Sequence, residues 1–165
     1  MTEERLRELK FFAEKDLFSR ADKMLSAIGQ VHPLAIVFGS YPEPKRIAIP
    51  LRFDTQEMKS LYMKAVHAAA MNTAAECVFL IAEAWSSGLQ DATRTEELLE
   101  QYGEVSKFPE SLRKEEVMLL LNLPNGHTYM LSGRIYRDAA VPYTKEVEWH
   151  DLGQAEGRMI GRWGQ

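Results

Sequence analysis

Glu115-Glu-Val-Met-Leu-Leu-Leu-Asn-Leu123 and His127-Thr-Tyr-Met-Leu-Ser-Gly-Arg-Ile-Tyr-Arg137 are two apolar runs separated by Pro124-Asn125-Gly126. Asn-Gly between such runs is a strong hairpin signal, because a two-residue type I′ turn needs φ > 0 at both central positions. With Asn125-Gly126 as the loop, Leu120 opposes Leu131 and Met118 opposes Gly133 on one face. On the other face Leu121 opposes Met130, and Val117 opposes Arg134. An antiparallel pair of this length makes a sheet the organising element, and the rest of the chain is read by what it adds.

Toward the N-terminus, Cys77-Val-Phe-Leu-Ile-Ala-Glu-Ala-Trp85 is nearly continuous in apolar character and rich in strand formers, which marks a central strand. Leu34–Phe38 and Arg46–Leu51 read as a further strand pair across a proline-containing loop. Toward the C-terminus, residues 145–151 alternate Val147 and Trp149 with Glu146, Glu148 and His150, which gives one dry and one wet face. Residues 3–28 have helical periodicity, with Leu6, Leu9, Ala13, Leu17, Ala21, Met24 and Ile28 on one side and Phe11, Phe18 and Leu25 at its edge. A second helix follows Asp54, which stands three residues before Glu57 in capping-box spacing, and its stripe is Met58, Leu61, Tyr62, Ala65 and Ala69. A short helix from Thr93 to Gly103 occupies the connection after Trp85. The expected fold is α+β, a mainly antiparallel sheet of about six strands with both major helices packed on one face. Residues 1–152 form a single domain, and 153–165 are a glycine-rich tail.

At 165 residues, a chain of this kind buries a core without staples. A lone cysteine, Cys77, excludes an intramolecular disulfide framework and suits a reducing compartment. No secretory leader and no membrane span is evident, so the expectation is a soluble, cytoplasmic protein. The net charge of −4 argues against a general polyanion binder. It is unevenly spread: residues 76–113 hold eight acids and three bases, and 138–151 hold four and one. Lys45, Arg46 and Arg52 make a basic spot too small for a nucleic-acid groove, and nucleic acid is not an expected partner.

Three groups of residues carry chemistry worth locating. Glu83 shares a strand face with Phe79, Ile81 and Trp85, where an apolar side chain is the norm. A carboxylate there needs a partner, for which Arg134 is the candidate, or emerges at the wet end of the strand; with a raised pKa it would serve general acid–base work alongside His127. Glu146, Glu148 and His150 offer metal-ligand chemistry on one face, but neighbours two apart lie roughly 6.7 Å from each other. Two could share a divalent ion, and further ligands would have to come from His127 or Asp151. The third group is Met159, Ile160, Arg162 and Trp163, the typical anchor residues of an interface, in the tail. They belong to a disordered or self-docked terminus, or they bind another subunit or a partner. His32, His67 and Cys77 read as structural. No cofactor-binding motif is evident: nucleotide loops, the nucleophile elbow and the zinc helix motif do not occur.

Glu83-Ala84-Trp85 at the end of an apolar strand, followed by Pro109-Glu-Ser-Leu-Arg-Lys-Glu-Glu-Val117 leading into a hairpin, resembles a group of small uncharacterised bacterial and phage proteins over residues 76–137. The resemblance implies a bacterial or phage setting and no activity. It groups Glu83, Trp85, Arg113 and Glu115 around one end of the sheet. The functional expectation is a non-enzymatic binding or assembly module that self-associates or meets a protein partner. The alternative is a small metal-dependent or carboxylate-using hydrolase.

Overall fold

The structure, a computed structural model, describes residues 1–87, 92–154 and 160–164. Thr2 opens the first helix, its hydroxyl accepting from the Arg5 amide at 3.1 Å. Helix α1 (Glu3–Phe12) runs through a π-helical stretch, Ala13–Phe18, into α2 (Ser19–Ile28). The strands are β1 (Leu34–Gly39), β2 (Lys45–Pro50), β3 (Cys77–Ser87), β4 (Arg113–Asn122), β5 (Thr128–Tyr136) and β6 (Tyr143–Gly153). Helix α3 (Gln56–Asn72) joins β2 to β3, and α4 (Ala92–Tyr102) lies between β3 and β4. All pairs are antiparallel, in the order β2-β1-β3-β4-β5-β6. The class is α+β, as the patterning predicts.

The helices divide between the two faces instead of sharing one. Helices α1 and α2 cover Phe38, Phe79, Leu121 and Leu131, whereas α3 covers Ala35, Val37, Val78 and Leu80. The reason lies in β3, where Val78, Phe79, Leu80 and Ile81 are all buried. A strand apolar on both faces needs cover on both.

The π-helical stretch redirects the first helix. One inserted residue turns everything after it by roughly one residue's 100°. Phe18 and Leu25, which a regular helix would leave at the edge, become 5% and 0% exposed, while Ile28 turns outward at 54%. On α3 the buried side is Met63, Val66 and Ala70, and Leu61 faces out. The expected stripe holds only in part: Tyr62 and Ala69 pack against this core, but alanines carry little apolar area, so Met63 and Val66 decide the orientation. Thr55, not Asp54, caps this helix, accepting from the Met58 amide at 3.1 Å, and Asp54 pairs with Arg52 at 3.1 Å instead.

The central hairpin is shifted by one residue from the expected register. Leu119 pairs with Leu131, Leu120 with Met130, and Val117 with Gly133. Pro124 explains it. In a two-residue loop residue 124 would donate the closing hydrogen bond, and proline has no N–H. The Leu123 amide closes the loop on His127 O at 2.9 Å, and the Gly126 amide returns to Leu123 O at 2.9 Å. Gly126 sits at φ +92°, so the loop has three residues with a left-handed glycine at its end. A one-residue shift exchanges the faces of a whole strand, which matters for Arg134 below.

Candidate functional site

Strands β4 and β5 part before they end. Their ladder stops at Glu116 and Arg134, although β4 begins at Arg113 and β5 runs on to Tyr136. Continuing the register would set Lys114 against Tyr136 and Arg113 against Arg137. Like charges directly opposite each other destabilise a pair. The parted ends open a cleft of about 310 Å³, lined by side chains from both faces of the sheet and by Trp85 of β3.

Four cations line this cleft: Arg113, Lys114, Arg134 and Arg137. Two are neutralised. Arg137 makes a forked contact with Glu115, Nε to Oε1 at 3.1 Å and NH2 to Oε2 at 3.0 Å, and donates from NH1 to Gly29 O at 2.9 Å. The Glu115 hydrogen bond, above all, raises the pKa of Arg137. Lys114 lies 3.0 Å from the Glu116 carboxylate, which is buried and also accepts from Ser86 Oγ at 3.1 Å.

The other two guanidinium groups lie on aromatic rings. Arg113 sits 4.3 Å from the Trp85 ring centre and Arg134 5.2 Å from that of Tyr136. No carboxylate among the described residues lies within ion-pair distance of either. Arg113 donates from NH1 to Ser106 O, while its Nε is buried without a hydrogen-bond partner among the described residues. A buried donor left unpaired costs about 1–3 kcal/mol. Tyr136 is held from behind by Tyr143, whose ring stacks on it at 5.5 Å, and its hydroxyl donates to Glu146 at 2.8 Å. That hydrogen bond is the main reason its pKa is raised.

No family model, curated protein or solved structure matches the chain. Its function has to be argued from the geometry.

The residues singled out in the sequence distribute unevenly. Trp85, Arg113 and Glu115 meet at the cleft, and Glu83, half-buried, lies behind it against Arg137. Glu83 accepts from the Val31 amide at 2.5 Å and lies 3.9 Å from Arg137 NH2. Its ionic partner is therefore Arg137 and not Arg134. The register shift is the cause, since it sets Gly133 opposite Val117, which pairs with Glu83, and moves Arg134 to the other face. His127 is remote, at the hairpin turn, where its Nε2 meets Asp151 Oδ1 at 2.7 Å and its ring packs on Tyr129. The Gly153 amide, foremost, and His127 hold the Asp151 carboxyl below its ordinary value.

The Glu146, Glu148 and His150 set does not converge. His150 Nε2 and Glu148 Oε1 are 3.3 Å apart, but β6 bulges between Lys145 and Glu148, and Glu146 turns to Tyr136 with φ +59°. Among the described residues no three His, Cys, Asp or Glu side chains are placed to hold a metal ion.

Of the tail residues, Met159 lies outside the described residues. Ile160 is buried in the core beneath α3. Trp163 packs beside it and donates from Nε1 to Ala75 O at 2.9 Å. Arg162 presents its carbonyl to His67 Nε2 at 2.8 Å. Ile160 and Trp163 thus anchor the tail to its own domain, with His67 as a further tether.

Arg137, Tyr136 and Lys114 were not singled out by sequence patterning. The clue available was Arg113-Lys114 at one strand start and Arg134 with Arg137 at the end of the next, which any hairpin register brings to the same end of the sheet.

Proposed function

We propose that this chain is a non-enzymatic binding module, and that an anionic ligand docks in the cleft at the parted ends of β4 and β5. The observation that carries this reading is the pair Arg113 and Arg134, two guanidinium groups placed over aromatic rings with no carboxylate among the described residues at ion-pair distance, in a chain of net charge −4. Ring stacking fixes a guanidinium's orientation and leaves its in-plane N–H groups for an oxyanion. The rest of the lining favours holding over reacting: Glu115 is consumed by Arg137, and Glu83 by the Val31 amide and Arg137. A carboxylate-driven hydrolysis finds no free base in that pair.

Self-association has lost two of its sequence-based supports, because the apolar side of α1 and α2 and the tail residues Ile160 and Trp163 pack inward. Leu61 and Met71 on the outer side of α3, and Phe11 and Ile28 on the first helix, are exposed and left for it.

Isothermal titration with citrate and with inorganic pyrophosphate at low ionic strength tests the reading. Saturable binding is expected, weakening with added salt and abolished in the double variant Arg113→Ala, Arg134→Ala at unchanged melting temperature. Absence of heat with both anions, in a folded sample, would sink it.

A further inference from the structure

Resting on that reading, we infer that the cleft selects a small dianion, a short dicarboxylate or a phosphomonoester, over a monoanion and over a polymer. Size gives the first argument. A volume of about 310 Å³ is at the lower end for small-molecule sites.

Charge gives the second. The lining holds four cations against two carboxylates, Glu110 and Glu115. With Lys114 and Arg137 already engaged, Arg113 and Arg134 are the two positive charges left to answer. They stand on different strands and on opposite faces of the sheet, and both line the gap where the ladder stops, so a ligand that carries two negative charges into that gap can meet both. A guanidinium fork accepts carboxylate and phosphoryl oxygens alike.

Surroundings give the third. The sequence segments that flank the cleft, residues 76–113 and 138–151, are the acidic ones, and Glu110 lies exposed on its wall. A polyanion continuing beyond the cleft would run into like charge. It would also lack the extended basic groove and free ring faces on which strands of nucleic acid stack, since the rings of Trp85 and Tyr136 already carry a guanidinium.

The test is calorimetric titration of the intact chain with acetate, succinate, phenyl phosphate and a short single-stranded DNA, under one buffer and salt condition. Succinate or phenyl phosphate is expected to bind at least tenfold more tightly than acetate and more tightly than the DNA. The better of the two tells a split dianion from a phosphoryl group. Arg113→Gln and Arg134→Gln should each weaken that binding by tenfold or more, and Arg113→Lys, which keeps the charge and loses the fork, should recover only part of it. Equal binding of acetate, or tighter binding of the DNA, overturns the dianion assignment while leaving an anion site in place. Binding of none of the four overturns both.

Discussion

Gly133 has no side chain because Phe18 stands where one would be. A Cβ built there meets Phe18 Cζ at 2.7 Å and Val147 Cγ2 at 3.1 Å; Phe18 is buried in the core and has little room to yield, while Val147 is exposed. Gly133→Ala should therefore cost about 1–3 kcal/mol, as overpacking of a core does. Denaturant unfolding measures it, and Phe18→Leu combined with Gly133→Ala should cost less than the two single changes added together. A full additive loss would mean that the two residues do not share the space. At this scale the sequence is legible where a residue has one chemical option. Pro124 cannot donate, so the three-residue loop can be read from the chain once that donor is asked for. The Asn-Gly signal concealed it by being strong on its own terms, and the face of Arg134 was lost with it.

The first helix shows what periodicity alone leaves unread. Leu17 and Phe18 are both apolar, so the residues offer no mark of where a regular helix gives way to a wider turn. The tertiary demand settles it: Leu9 of α1, Ala13 at the start of the π-helical stretch, and Ala21 and Leu25 of α2 must all reach the same sheet face. One extra residue between the two helices reconciles them. Deleting exposed Lys15 should then be tolerated, because the stretch relaxes to a regular helix and keeps both stripes aligned. Deleting exposed Lys23 should not be, because it turns Leu25 off the face. Melting temperatures within a few degrees of the parent for the first variant, and loss of the cooperative transition for the second, are the expected pair of results. The strands were easier to read than the helices. Apolar runs bounded by turn residues mark the strands, alternation marks β6, and β3 revealed its central place through a nearly continuous apolar run.

At the scale of the whole molecule, the chain is closed by its own end. Trp163 bonds to the loop before β3 through Ala75 O, and its amide reaches the central hairpin at Pro124 O, 3.1 Å away. Replacing both Ile160 and Trp163 by alanine should destabilise the protein by about 3–5 kcal/mol, in keeping with large-to-small changes at buried and half-buried sites. Light scattering should show its mass unchanged; a fall in mass without loss of stability would return these residues to an intermolecular role. The binding cleft is a property of this same scale. One end of the sheet was foreshadowed by Trp85, Arg113 and Glu115. Arg137 could not be, because its contacts with Glu115, Glu83 and Gly29 depend on strand register and on where α2 ends.

The two-sided sheet also sets a timetable for synthesis. The apolar stripe of α1 and α2 packs on Leu119, Leu121 and Leu131, which lie roughly a hundred residues downstream. At elongation rates of roughly 5–20 residues per second, that stripe waits on the order of 5–20 s for its cover. Part of that cover, Phe38, Phe79 and Ile81, emerges earlier, whereas the α3 face waits for Leu120 and finally for Ile160. Neither half of the core is therefore complete until the last third of the chain has been made.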